Sequence, residues 1–214
     1  MIAIVGDSYI RRLDFHLRAS GAAPLNLATK VRFFGQGGAS VFGCKPVIPL
    51  LDAALARPDL QVLYLNIGSN DIENIDRSRL VRALLSLSRY ALVANDSLLV
   101  IIGQLHYRAG PSRAHFNSEV RQTNYWLQQT ILSIGDSRLH FAKIRGLNKP
   151  PDKLFCDGVH FTRQGQQLLA RGVRSAIARA LPLISSGGRV ALPAPTASSR
   201  YCTSGLSAAL TRVL

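Results

Sequence analysis

Five short runs of apolar and β-branched residues, separated by longer stretches of helical periodicity, constrain the fold of this chain more than any other feature of its sequence. Ile2–Val5, Val31–Phe34, Gln61–Asn66, Leu98–Ile102 and Leu139–Ala142 read as strands. The stretches near residues 9–20, 46–57, 77–94, 113–133 and 163–181 space their apolar residues three and four apart, as helices with one buried face do. Strands that alternate with helices need crossover connections, and right-handed crossovers leave the helices packed on both faces of a mostly parallel sheet. The expected class is therefore α/β: three layers, α/β/α, around a parallel five-stranded sheet with flavodoxin-like strand order. Asp76, Ser112 and Thr162 stand where helix caps are needed, and Pro182 is expected to close the last helix.

At 214 residues and 47% hydrophobic content the chain suits one well-buried domain with a modest appendage. The expected division is a domain over residues 1–182 and a low-complexity, flexible basic tail over 183–214. In that tail the composition shifts to Ser, Gly, Ala, Thr and Pro, with Ser185-Ser186-Gly187-Gly188 as a hinge. A short helix over Ser204–Leu214 is compatible with this composition. The longest apolar runs, Leu60–Leu65 and Leu98–Ile102, fall far below the roughly 20 residues a bilayer-spanning helix needs. The chain starts on Ile2-Ala3-Ile4-Val5 and reaches Gly6-Asp7-Ser8 at once, without a basic leader, so an intracellular protein, cytoplasmic or nuclear, is expected. Cys44, Cys156 and Cys202 form an odd set without metal-ligand spacing, against both a disulfide framework and a zinc site. Asn95-Asp96-Ser97 matches a glycosylation acceptor, a match expected to be accidental because the protein is expected to be intracellular.

Charge is the one unusual quantity. Lys and Arg number 26 against 12 Asp and Glu, a formal +14. No acidic residue follows Asp157, whereas Arg163, Arg171, Arg174, Arg179, Arg189, Arg200 and Arg212 do, so the positive field gathers toward the C-terminal end. A solvated basic helix face accounts for this as well as contact with nucleic acid or an anionic membrane does.

In an open α/β sheet, ligands bind where loops leave the C-terminal ends of the strands. The first strand ends in Gly6-Asp7-Ser8, the second leads to Gly35-Gln36-Gly37-Gly38-Ala39-Ser40, and the third to Gly68-Ser69-Asn70-Asp71, while Asp157-Gly158-Val159-His160 precedes the last helix. A serine hydroxyl is a weak nucleophile unless an imidazole accepts its proton and a carboxylate fixes the tautomer of that imidazole. Ser8, His160 and Asp157 supply this set. Charge developing on an attacked carbonyl oxygen needs donors already aimed at it, which the backbone amides of Ser8 and Gly38 and the side chain of Asn70 would provide. Taken singly, each residue also has a structural reading: Asp7 as a helix cap, Asn70 or Asp71 as a turn residue, His160 as a satisfied loop histidine. Their joint placement favours the catalytic one. Asp7, Gly37, Gly68 and Asp71 are expected to shape the turns.

These four blocks, in this order, resemble the SGNH hydrolases, the GDSL-like family named for its Ser, Gly, Asn and His. The Gly-Asp-Ser opening corresponds to residues 6–8, the oxyanion glycine to Gly38 with Gly37 as the alternative, Gly-x-Asn-Asp to residues 68–71 and Asp-x-x-His to residues 157–160. The resemblance spans residue 2 to about residue 180. It implies a flavodoxin-like fold and hydrolysis of a small carboxylic ester or thioester through an acyl-serine intermediate, with neither metal nor organic cofactor. Tyr9, where the family usually has leucine, and Phe161, where proline often follows the histidine, depart from the pattern and bear on substrate fit. Esterase domains of this type occur in the first open reading frame of some LINE retrotransposons, and the arginine excess fits that setting.

Other motifs fail. Ile10 stands where a lipase-type Gly-x-Ser-x-Gly elbow needs glycine, and Ser40 where a Gly-x-Gly-x-x-Gly fingerprint does. His16, His106, His115 and His140 lack metal spacing and read as surface or satisfied polar residues; His106, just after the fourth strand, is also a candidate to line the substrate pocket. The rival class is a catalytically weak binding module of the same fold that holds nucleic acid or another polyanion at its basic C-terminal end. No RNA-recognition fold, zinc knuckle or coiled coil accompanies it.

Overall fold

The computed structural model describes residues 1–21, 24–147 and 151–186. In chain order it contains β1 (Ile2–Gly6), α1 (Ser8–Ala19), β2 (Val31–Gly35), α2 (Ile48–Leu55), β3 (Val62–Asn66), α3 (Arg77–Ala94), β4 (Leu99–Gly103), α4 (Ala114–Ile134), β5 (Leu139–Ala142) and α5 (Arg163–Ser186). Single 3₁₀ turns at Pro24–Asn26, Pro111–Arg113 and Asp152–Leu154 punctuate the loops. The strands form one sheet in the order β2-β1-β3-β4-β5, every neighbouring pair parallel. This is the flavodoxin-like order expected from the alternation of strands and helices.

Period-2 alternation divides the sheet residues between two cores. Ile2 and Ile4 of β1, with Tyr64 of β3, pack against Ile10 and Leu13 of α1 and Leu169, Val173 and Ile177 of α5. Ala3, Val5, Leu63 and Leu65 point the other way, toward Leu51 of α2, Leu80, Leu84 and Leu87 of α3 and Val120 and Leu127 of α4. Covered on both faces, β1 and β3 are buried throughout, while the edge strand β2 is only partly so. Gly6 pairs across with Gly35 on one side and Asn66 on the other, so three strands end level and their loops leave along one edge.

Two helix boundaries differ from expectation. The N-cap position of α4 falls on Arg113 rather than Ser112, because the Pro111–Arg113 turn leads into the helix and takes the place of a side-chain cap. Helix α5 continues through Pro182 to Ser186. Proline removes one hydrogen bond but its fixed φ is helical, so a helix formed upstream can carry one such loss near its end. Asp76 and Thr162 do cap their helices, accepting from the backbone amides of Arg79 (3.1 Å) and Gly165 (3.4 Å). Residues 187–214, which hold most of the expected tail and its Ser204–Leu214 helix, lie outside the described residues. No helix among the described residues is long and apolar enough to cross a membrane.

Candidate active site

The edge where β1, β2 and β3 end together collects all four sequence blocks. After β1 the Asp7 carboxylate turns back to accept the Tyr9 amide (2.9 Å), capping α1 so that Ser8 becomes its first residue. After β2 the chain doubles back at Gly38, whose φ of +74° is costly for any residue with a Cβ. Ser40 closes this loop: its amide donates to the Lys45 carbonyl (3.0 Å) and its hydroxyl accepts from the Gly43 amide (2.8 Å). After β3, Gly68 at φ +110° starts a turn that directs Asn70 and Asp71 toward the second loop. The Asp71 carboxylate accepts the Val41 and Phe42 amides, each at 3.0 Å, and the Asn70 amide donates to the Ala39 carbonyl (2.8 Å). The third loop thus grips the second, and Gly38 and Asn70 line the same cleft.

The fourth block arrives from the far end of the chain. Phe155 and Phe161 form an isolated antiparallel bridge, and the Cys156 amide donates to the His160 carbonyl (2.9 Å), which bends residues 156–160 into a tight loop. That loop is tied down from outside by the Ala109 amide on the Gly158 carbonyl and by the Tyr9 hydroxyl on the Val159 carbonyl, both at 2.7 Å. Its result is a continuous line: Asp157 Oδ2 lies 2.7 Å from His160 Nδ1, and His160 Nε2 lies 3.1 Å from Ser8 Oγ, across 152 positions of sequence. Asp157 Oδ1 also accepts the backbone amides of Val159 (3.0 Å) and His160 (2.6 Å). Partial burial works against the Asp157 charge, but the bonds from the His160 amide and ring and from the Val159 amide outweigh it and hold the carboxylate at about 2, ionised at any ordinary pH.

Ser8 and His160 open onto a cleft of about 610 Å³ lined also by Arg11, Arg12, Phe15, Gly37, Gly38, Asn70 and Val159. The Ser8 amide, at the first position of α1, has no intrahelical acceptor by helix geometry. The Gly38 amide finds no partner among the described residues. The Asn70 side chain uses one of its two hydrogens on Ala39, leaving the other for the cleft. A second hollow of about 370 Å³, bounded by Ser40, Phe42, Cys44 and Lys45, shares Gly38 and Asn70 with the first.

No protein-family model matches the sequence, and no curated protein matches it significantly. Solved structures do match. A lipolytic G-D-S-L family protein from Veillonella parvula superposes with a TM-score of 0.59 at 18% identity, over 83% of this chain and 98% of its own. A carbohydrate esterase family 3 protein from Talaromyces cellulolyticus gives 0.60 at 12% identity, over 86% and 98%. A GDSL-like lipase from Bacteroides thetaiotaomicron gives 0.56 at 14% identity, over 84% and 88%. The chain has the SGNH hydrolase fold. The two departures from the SGNH pattern, Tyr9 and Phe161, prove to be neighbours.

Beneath the cleft the rings of Tyr9, His106 and Phe161 pack together, with centroids 4.5 Å apart for Tyr9 and His106, 5.2 Å for Tyr9 and Phe161, and 5.3 Å for His106 and Phe161. His106 is fully buried and is not among the residues lining the cleft, contrary to its candidacy as a pocket residue: Tyr9 and Phe161 cover the ring, which turns inward to Asn66. Its Nε2 lies 3.1 Å from Asn66 Oδ1, and the Asn66 amide donates to the Gln104 carbonyl (2.8 Å). Burial depresses the imidazole to about 3, so it is neutral. Asp7, 1% exposed, shows the opposite effect. Burial raises it to about 7 against the opposing Tyr9 amide bond, with the neighbouring Asp71 adding to the rise.

Sequence reasoning missed the anchoring role of Tyr9. A tyrosine where leucine is usual was the available signal, but nothing in the chain could show that its hydroxyl meets a carbonyl 150 residues away. Arg11 and Arg12 were missed because on a helix three and four residues past Ser8 they read as an ordinary solvated face.

Proposed function

We propose that the protein is a serine hydrolase of carboxylic esters or thioesters, with Ser8 as nucleophile. His160 Nε2 takes the hydroxyl proton as Oγ attacks the carbonyl, and later returns it to the leaving alcohol or thiol. Asp157 holds the ring with Nδ1–H toward itself and stabilises the imidazolium formed on attack. The amides of Ser8 and Gly38 and the free hydrogen of Asn70 receive the oxyanion, aided by the positive end of α1. Water, activated by the same imidazole, then releases the acyl group from Ser8. Asp7, Gly37, Gly68 and Asp71 take no part in proton transfer; they shape the turns that carry the reacting groups.

The observation that carries this reading is the line from Asp157 through His160 to Ser8, at 2.7 and 3.1 Å. Both distances suit proton transfer without rearrangement. The test is turnover of a short-chain p-nitrophenyl ester together with labelling by a fluorophosphonate probe. Wild type should hydrolyse the ester and label on the peptide containing Ser8, and Ser8→Ala should abolish both. An unchanged rate in Ser8→Ala would remove Ser8 from the mechanism.

A second reading, compatible with the first, concerns a different surface of the molecule. Lys143, Arg145, Arg171 and Arg179 surround a groove of about 470 Å³ beside α5, with no acidic side chain in its lining. Such a groove suits a phosphate backbone or another polyanion. Binding of RNA that weakens steeply with salt, and weakens further in an Arg145→Gln, Arg171→Gln double variant, would support it; no binding at low salt would dismiss it.

A further inference from the structure

We infer that the ester taken by the Ser8 cleft carries an anionic group, a carboxylate or phosphate, a few bonds from the scissile carbonyl. The inference rests on the hydrolase reading for its reacting centre and on separate observations for its charge. Helix α1 presents Ser8, Arg11, Arg12 and Phe15 to the cleft, positions one and two turns apart on one face. Two guanidinium groups therefore stand one turn beyond the nucleophile. Lys45 lies off this cleft, in the lining of the adjoining hollow that shares Gly38 and Asn70, with its ammonium 3.5 Å from the Gly37 carbonyl. The cleft lining contains no Asp or Glu.

These cations are available. Arg11 forms no ion pair among the described residues, and the one pair Arg12 makes, with Asp157, is long at 3.9 Å between half-exposed side chains. Such a pair contributes little and yields readily to a better-placed anion. The other arginines near acidic groups contrast with them, since Arg77 and Arg108 approach carboxylates at 2.8 Å. Positions three and four residues along a helix lie about 5–6 Å apart at Cβ. A carboxylate at the end of a succinyl-length chain attached to Ser8 falls within that range. Guanidinium groups bind carboxylate and phosphate in paired hydrogen bonds, so both anions fit the same chemistry. Phe15, 75% exposed on the next turn, offers an apolar shelf to the remainder of the substrate.

The probes are p-nitrophenyl hydrogen succinate and its methyl ester, matched along the acyl chain and differing in charge. At low ionic strength the wild-type kcat/KM should favour the anionic probe at least about tenfold, and the advantage should shrink toward unity with salt as the Debye length falls below about 10 Å. The ratio should also collapse in an Arg11→Gln, Arg12→Gln double variant, and a ratio is insensitive to general damage from the substitutions. Binding of the same two probes to Ser8→Ala, followed by calorimetry, reads the charge preference without turnover. Equal or undetectable binding of both probes there overturns the inference even if esters are hydrolysed. A clear anionic preference in binding with no hydrolysis of either probe by wild type would instead leave the cationic cleft standing and refute the hydrolase reading. Preference for phosphate-bearing over carboxylate-bearing esters in the same assay distinguishes the two anions.

Discussion

Replacing Tyr9 with phenylalanine removes a single oxygen and isolates one contact. The hydroxyl donates to the Val159 carbonyl at 2.7 Å, and Val159 lies between Asp157 and His160 on the loop that carries both. The ring itself, 2% exposed, would still pack against His106 and Phe161, so no cavity beyond the lost oxygen forms. Leaving a part-buried carbonyl without its donor costs about 1–3 kcal/mol. The loop keeps two other ties, from the Ala109 amide to the Gly158 carbonyl and from the Cys156 amide to the His160 carbonyl, so it shifts rather than unfolds. At about 1.4 kcal/mol per tenfold, even full expression of that cost in the transition state limits the loss in kcat to about a hundredfold, and partial expression predicts roughly tenfold. KM should stay within about twofold, because the lost bond is made to the Val159 carbonyl beneath the loop and not to the substrate. The assay is kcat and KM on a neutral p-nitrophenyl ester, with the rate of fluorophosphonate labelling and thermal unfolding measured on the same preparations. A fall in Tm with kcat unchanged would show that the hydroxyl merely stabilises the fold, and would refute its role in holding His160 against Ser8.

Three further substitutions probe the site at different depths. Asn70→Ala should lower kcat by about a hundred- to a thousandfold, as loss of an oxyanion donor does, with a modest fall in Tm from the lost bond to the Ala39 carbonyl, and a change in kcat under about threefold would exclude Asn70 from that role. Asp71→Ala strips the Val41 and Phe42 amides of their acceptor, so stability should drop by about 1–3 kcal/mol in urea titration and kcat should fall with it as the Gly38 loop loosens. Asp7→Asn should stabilise the protein above neutral pH. In the wild type the unfolded chain ionises Asp7 near its ordinary value of 3.8 while the folded chain retains the proton to about 7, so stability declines between these limits and stays low above them, by up to about 4 kcal/mol. Asparagine keeps the acceptor for the Tyr9 amide and removes that slope, and identical pH profiles for variant and wild type would contradict the burial argument.

How much of this was legible in the sequence follows from how local each signal is. The boundaries of β3 and β4 came through within a residue because burial on both faces leaves continuous apolar runs, as in Val62-Leu63-Tyr64-Leu65 of β3. The helix α3 was readable end to end, since Asp76 caps it and its leucines repeat at helical spacing. Pro182 misled because a proline's local cost says nothing of its position within a long helix whose earlier turns are already packed on the sheet. The four site blocks were visible because each is a short stretch beside a strand or helix end. The floor beneath them was not: Tyr9, Asn66, Gln104 and His106 come from three different stretches, and a buried polar network has no period to betray it.

That floor decides the electrostatics of the cleft above it. A group held neutral contributes no field that a developing charge must fight, and burial holds His106 neutral near pH 7 and keeps Asp7 partly protonated there. Asp157 keeps its full negative charge on the side of His160 away from Ser8, where it favours an imidazolium. In the proposed mechanism the N-terminus of α1 and the Gly38 and Asn70 donors surround the oxyanion position, and the cations Arg11 and Arg12 line the same cleft. In that proposed mechanism, charge separation during attack, positive on His160 and negative on the carbonyl oxygen, runs along this arrangement of charges. Asp7 is buried next to Ser8 in the chain, so its ionisation would add a negative charge near that oxyanion, and the burial that raises its pKa opposes that ionisation.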